Sequence, residues 1–127
     1  MNLEKVIFSF FMILALTLNF GFFYGDVHNP DHHNIYELYA VIVINLIATI
    51  LKFGDRSQLG AMLLATSLVA NVQLISAAIV WAVAAHMQEA GVTAATMATI
   101  VSLSGGAVLA NIISVILLVL EASILRR

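Results

Sequence analysis

Four long apolar segments, separated by short polar stretches, constrain this chain more than any other feature of its sequence. They cover roughly residues 6–24, 35–53, 59–85 and 92–125. Each one reaches or exceeds the ~17–20 residues that a helix needs to cross a ~30 Å hydrocarbon core. Of the 127 residues, 62% are hydrophobic and 9% charged, and a soluble domain of this size cannot bury so much apolar surface. We therefore predict a single all-α domain, residues 1–127, with four transmembrane helices in a lipid bilayer.

The basic residues predict the orientation of these helices. They fall before the first segment, between the second and third, and after the fourth, at Lys5, Lys52, Arg56, Arg126 and Arg127. Loops rich in Lys and Arg remain in the cytoplasm. The aromatic residues near the opposite boundary, where amphipathic rings favour the headgroup level, are Tyr24, Tyr36, Tyr39 and Trp81. Both patterns predict a multi-pass protein with both termini in the cytoplasm.

Each apolar segment contains one asparagine: Asn19, Asn45, Asn71 and Asn111. An amide in hydrocarbon costs free energy unless it is hydrogen-bonded, so these side chains are expected to face protein or water. One interpretation is a polar lining for an ion or solute path around the axis of an oligomer. The other is interhelical hydrogen bonding, worth about 0.6–2 kcal/mol each, which is the commoner role of such amides.

Two further patterns concern how the helices pack. The sequence around Asn45, Val-Ile-Asn-Leu-Ile-Ala-Thr-Ile-Leu, is similar to Leu-Ala-Asn-Ile-Ile-Ser-Val-Ile-Leu around Asn111, which predicts two tandem two-helix repeats. The fourth segment carries small residues at four-residue spacing, namely Ser102, Gly106, Ala110 and Ser114. Such a ladder lets two helices approach closely, either within one chain or between copies in a homo-oligomer. Residues 104–106, Ser-Gly-Gly, leave open whether the fourth helix is continuous.

The charged and histidine side chains cluster near the predicted membrane surfaces. Lys52 and Glu121 are candidates for an ion pair at the inner interface, with the terminal arginines as the alternative partners of Glu121. The predicted outer loop carries a candidate metal-binding or pH-sensing group, consisting of His28, Asp31, His32 and His33. Imidazole and carboxylate suit zinc, nickel or copper, but the spacing matches no closed metal motif, so a solvated acidic turn is the default interpretation.

Several functions are disfavoured by what the sequence lacks. The net charge is −2 and there is no cysteine, which argues against nucleic-acid binding and against thiolate chemistry. We find no nucleophile–base pair and no cofactor motif, so we expect neither an enzyme nor a cofactor. No carboxylate lies clearly at mid-membrane, where a proton-coupled transporter would place one.

Four short motifs carry a resemblance to known proteins: Met-Asn-Leu-Glu-Lys-Val-Ile at residues 1–7, Leu-Lys-Phe-Gly-Asp at 51–55, Ala-Thr-Ser-Leu-Val-Ala at 65–70 and Gly-Ala-Val-Leu-Ala-Asn-Ile at 106–112. In these motifs the chain resembles an uncharacterised family of small four-helix bacterial inner-membrane proteins. The resemblance implies location in a bacterial inner membrane and supplies no activity or site residues.

Two functional hypotheses follow. The first is a homo-oligomeric channel or passive transporter for cations or small solutes, lined by the four asparagines. The alternative is a non-transporting accessory or assembly subunit, which uses its small-residue faces to dock a larger membrane complex.

Overall fold

The computed structural model consists of four helices connected by three short segments. It describes residues 3–25, 29, 31, 33–55 and 57–125, with side chains up to residue 123. The helices are α1 (Leu3–Phe23), α2 (Ile35–Lys52), α3 (Gln58–Met87) and α4 (Ala94–Leu125). Each is long and apolar enough to cross a membrane. The predicted all-α fold with four transmembrane helices is therefore confirmed, with boundaries within three residues of those predicted.

Polar residues next to the helix starts explain where α2, α3 and α4 begin. The Asn34 side chain accepts a hydrogen bond from Tyr36 N, and the Ser57 hydroxyl accepts one from Gly60 N. Thr93 Oγ1 accepts from Thr96 N at 3.2 Å. Each satisfies one of the backbone N–H groups that a helix leaves without an internal partner. Asn34 acts without the reciprocal capping-box partner that its spacing from Glu37 suggests, because the Glu37 carboxylate lies against Gly21 of α1 instead.

The helices form a ring in which consecutive helices are neighbours and α4 returns to α1. Lys5 near the start of α1 forms an ion pair with Glu121 near the end of α4. Phe22 at the other end of α1 contacts Trp81 of α3. We name the end that holds Lys5, the α2–α3 turn and Glu121 the terminal end. The opposite end, with the α1–α2 and α3–α4 connections, is the loop end. Neighbouring helices are thus antiparallel.

The four helices differ in length. α1 and α2 have 21 and 18 residues, whereas α3 and α4 have 30 and 32. At 1.5 Å per residue these are about 32, 27, 45 and 48 Å. Phe23 at the end of α1 lies against Gly105 of α4, so residues 94–104 of α4 continue beyond α1 by about 16 Å. One side of the bundle is therefore much longer than the other.

The apolar core is divided into two clusters. The cluster toward the loop end contains Phe22, Leu38, Val41, Leu74 and Ile100, among others. The cluster toward the terminal end contains Phe8, Met12, Ala48, Leu63 and Leu117. Between the two, each of α2, α3 and α4 turns polar side chains into the bundle. We name this group the polar layer; it consists of Asn45, Thr49, Thr66, Ser67, Asn71, Asn111 and Ser114.

The α4 helix is continuous through its glycine pair, which answers the question left open by Ser104-Gly105-Gly106. A Cβ atom on Gly105 would lie 2.8 Å from the Phe23 ring of α1, and one on Gly106 would lie 2.5 Å from Oε1 of Gln73 on α3. Real Cβ atoms do not approach so closely. The two glycines therefore let α1 and α3 each press a large side chain against the α4 backbone.

Candidate functional site

All four asparagines point into the bundle of a single chain. Asn19, Asn45 and Asn111 are fully buried and Asn71 is 5% exposed. A path around an oligomer axis would run along the outer surface of the bundle, so these amides cannot line it in this conformation. The predicted site residues are thus brought together, but inside one chain rather than between copies.

The asparagines of α3 and α4 lie in the same segment of the helix contact. Thr66 of α3 hydrogen-bonds Ser114 of α4, and Gln73 of α3 lies against Gly106 of α4. Asn71 lies between Thr66 and Gln73 along α3, and Asn111 lies between Gly106 and Ser114 along α4. Both amides therefore occupy the same middle level of the bundle.

A hydrogen-bonded chain joins α2 to this level. Asn71 Nδ2 donates to Thr49 Oγ1 at 2.7 Å, and Thr49 Oγ1 donates in turn to the backbone oxygen of Asn45 at 2.8 Å. Asn45 is one helical turn from Thr49 on the same buried face. On the other side of the layer, Ser67 of α3 approaches the Met12 sulfur of α1, with Oγ 3.8 Å from Sδ.

Asn19 lies closer to the loop end, and both its amide nitrogen and its amide oxygen are hydrogen-bonded to α4. With its amide oriented to match its neighbours, Nδ2 donates to Ser104 O at 3.3 Å and Oδ1 accepts from Val108 N at 3.2 Å. Asn19 thus joins α1 to α4, which is the hydrogen-bonding interpretation of an intramembrane amide.

Several buried amide atoms near the middle of the bundle have no protein partner. They are both side-chain atoms of Asn45 and one oxygen each of Asn71, Gln73 and Asn111. Four of the five are acceptor oxygens and one is a donor. Leaving a buried polar group unpaired costs about 1–3 kcal/mol. Asn45 therefore contrasts with Asn19, because its whole amide group is buried without a bond.

Sequence reasoning missed several members of this site. Thr49, Ser67 and Ser104 are buried polar residues, and Gln73 has a buried amide oxygen. Thr49 follows Asn45 by four residues and Ser67 precedes Asn71 by four, so the (i, i+4) rule would have found these two on the asparagine faces. Ser104 precedes Asn111 by seven residues, two turns along the same face, so the longer helical spacing would have found it as well. Gln73 has no such spacing to Asn71.

The small-residue ladder is only partly a contact surface. Ala110 and Ser114 are buried and Gly106 faces Gln73 of α3, but Ser102 is exposed. Four residues turn a helix by about 400°, so a ladder with this spacing drifts by about 40° at each step. Ser102 has consequently rotated off the face. Because the other three members pack within the chain, the ladder gives no support to an interface between copies.

The predicted Lys52–Glu121 pair is wrong. Glu121 Oε1 lies 2.9 Å from Lys5 Nζ, and Lys52 Nζ lies 3.3 Å from Asp55 Oδ2. The register explains the difference, because α1 runs alongside α4 and brings Lys5 to the level of Glu121. The alternative partners of Glu121, Arg126 and Arg127, lie outside the residues that the structure describes.

Asp55 and its neighbours shape the α2–α3 turn. Its carboxylate accepts hydrogen bonds from the backbone N–H and the hydroxyl of Ser57 at 3.0 and 2.8 Å. These hydrogen bonds, together with the nearby Lys52 ammonium, lower the pKa of Asp55 below its ordinary 3.8. Lys52 is nearly buried, with its ammonium 4.4 Å from the centre of the Phe8 ring. Gly54 takes a φ of 94°, a conformation that glycine adopts without strain.

Of the predicted histidine group only His33 has a structural role in the described residues, and the metal-binding or pH-sensing role of the group stays a prediction. Two of its predicted members, His28 and His32, lie outside the described residues, and Asp31 is exposed. His33 is buried, with Nδ1 2.6 Å from the carbonyl oxygen of Phe22 and its ring packed on the Phe22 ring. A carbonyl can only accept, so Nδ1 carries the proton and caps the C-terminus of α1. Within the described ranges no three metal-ligating side chains come together.

The helices and their buried polar layer show the general class of this protein, and the sequence comparison shows its family. The chain is a multi-pass membrane protein whose four-helix bundle has a buried, amide-containing layer at its middle. It belongs to the family described as "Family of unknown function (DUF6394)", which it matches over residues 32–122. No curated protein and no solved structure matches the chain. The predicted bacterial inner membrane and cytoplasmic termini stay predictions.

Proposed function

We propose that this protein is a passive transport protein for small cations or water, with a path through the interior of each chain's bundle that opens when the apolar clusters on either side of the polar layer part. The observation that carries the proposal is the fully buried, unpaired amide of Asn45. An amide used only to join helices would be paired, as that of Asn19 is.

The balance of unpaired atoms indicates the kind of species that would pass. Four acceptor oxygens lack partners against one donor. A species that meets this deficit must donate hydrogen bonds or carry positive charge, which suits water, hydrated cations or small cations stripped of part of their shell. Neutral amide oxygens bind such species weakly enough to release them, as conduction requires.

The placement of charge supports a passive mechanism. In the part of the chain that the structure describes, ionisable side chains lie only toward the two ends of the bundle. A proton-coupled transporter needs a titrating group near the middle of the membrane. Acidic residues at the loop end, including Asp31, Glu37 and Glu89, would raise the local concentration of cations at that mouth.

Flux through liposomes containing the purified protein tests the proposal. We expect K⁺ or osmotic water flux above that of protein-free liposomes. Because leucine fills the site without a polar atom, Asn45→Leu and Asn111→Leu should each lower the flux at least about tenfold, an effect equivalent to ~1.4 kcal/mol. Ser102→Leu is the matched control, since it makes a similar change on the exposed face of α4, and it should leave the flux unchanged.

Two results would contradict the transport proposal. One is wild-type flux equal to that of protein-free liposomes for both solutes. The other is flux that survives both asparagine substitutions. The accessory-subunit alternative would then be tested by purification in a mild detergent. This alternative predicts that a second membrane protein co-purifies with the chain in a fixed proportion. A homo-oligomer is a separate prediction, measured by native mass, and a path inside each chain does not depend on it.

A further inference from the structure

We propose that a cavity at the terminal end binds the headgroup of a zwitterionic phospholipid with a primary ammonium group. The cavity lies between the start of α1 and the end of α2 and has a volume of about 560 Å³. In the described part of the chain, its charged lining consists of Glu4, Lys5, Lys52 and Asp55. It is distinct from the polar layer, and the inference is independent of the proposed transport.

Lys52 provides the main reason to expect a bound anion. Its side chain is 10% exposed, yet among the described residues its ammonium makes one hydrogen bond, the 3.3 Å contact with Asp55, and otherwise faces the Phe8 ring. An ammonium group has three donors, and buried donors are nearly always paired. A phosphate oxygen in the cavity would supply an acceptor of the right charge.

The charge balance of the cavity selects among phosphate compounds. Among the residues that the structure describes, two lysines and two carboxylates line it, so the charges of these four cancel, and Glu121 is paired with Lys5. A headgroup with only negative charge gains little from such a site. A headgroup with phosphate and ammonium can place the phosphate at Lys52 and the ammonium at Asp55. Asp55 is ionised, because its hydrogen bonds to Ser57 lower its pKa.

The cavity wall favours a lipid over a free phosphate compound. Beside the charged residues it is lined by Ile7, Ile50 and Leu51, which are 39%, 68% and 45% exposed. These side chains belong to the apolar surface of α1 and α2 that would contact lipid. A headgroup held at Lys52 would therefore have its acyl chains lying on this surface.

The test compares lipids on the wild-type protein, so it does not depend on a variant that folds. Purified protein is titrated in detergent with dioleoyl phosphatidylethanolamine, phosphatidylcholine or phosphatidylglycerol, with retained lipid measured by native mass spectrometry. We expect one phosphatidylethanolamine per chain. Phosphatidylcholine should bind about tenfold more weakly, because its quaternary nitrogen cannot donate to Asp55 and a charged hydrogen bond is lost.

Substitutions at Lys52 locate the site. Lys52→Met keeps the apolar stem but removes the phosphate contact, so it should weaken the binding of phosphatidylethanolamine and phosphatidylcholine alike by at least about tenfold, whereas Lys52→Arg, which keeps the charge, should retain binding. Equal binding of all three lipids would overturn the inference in favour of acyl-chain contact alone. Tighter binding of phosphatidylglycerol would show a simple anion site. Equal competition by soluble O-phosphoethanolamine would show that the lipid is not the ligand.

Discussion

At the scale of single residues, two buried asparagines differ in whether their amide groups are hydrogen-bonded. Asn19 and Asn45 are both fully buried asparagines. The amide of Asn19 is paired with the α4 backbone, whereas that of Asn45 is unpaired. Sequence shows that both are asparagines in apolar segments, but pairing depends on which backbone groups a neighbouring helix presents. The role of each amide could therefore not be predicted from its own segment.

This contrast predicts opposite effects on stability. Asn45→Leu should raise the free energy of unfolding by about 1–3 kcal/mol, because it removes unpaired buried groups. Asn19→Leu should lower it by about 0.6–2 kcal/mol, because it removes interhelical hydrogen bonds. Reversible unfolding of the purified protein in mixed micelles measures both. If Asn45→Leu is as destabilising as Asn19→Leu, Asn45 joins helices and its place in a transport path is lost.

At the scale of helices, the sequence predicts the elements well and their contacts poorly. Apolar length and the polar residues Asn34 and Ser57 place the helices because these signals are local. Which faces meet depends on register and rotation, which are set by all four helices together. Register and rotation explain why Ser102 is exposed although its spacing predicted a contact. They also explain why Glu121 pairs with Lys5 and not with the predicted Lys52.

The close contact of α3 with α4 at Gly106 gives a second prediction. Gly106→Leu should destabilise the protein by about 1–3 kcal/mol, because its side chain would overlap that of Gln73. Gln73→Ala should restore part of the loss in the double variant, and a double-mutant cycle measures the coupling. Ser102→Leu, on the exposed face of the same helix, is the control and should change stability little. Additive effects of Gly106→Leu and Gln73→Ala would show that the two residues do not meet.

At the scale of the whole molecule, the orientation in the membrane is the strongest prediction that the fold leaves open. The chain has no cysteine, so single cysteines can be introduced without removing native ones. Gln58→Cys at the terminal end should be protected from a membrane-impermeant maleimide applied to intact cells, and Glu89→Cys at the loop end should react. Both should react once the membrane is permeabilised. The reverse pattern in intact cells would place the termini outside.

The unequal helices described above give the bundle a thick side and a thin side in the membrane. α1 and α2, at about 32 and 27 Å, match a hydrocarbon layer of about 30 Å, whereas α3 and α4 exceed it by about 15 Å or more. Mismatch of this kind costs fractions of a kcal/mol per Å and is relieved by tilting or by thicker lipid. Lipids with longer acyl chains should therefore collect beside α3 and α4, so that one small protein sorts its neighbours differently on its two sides.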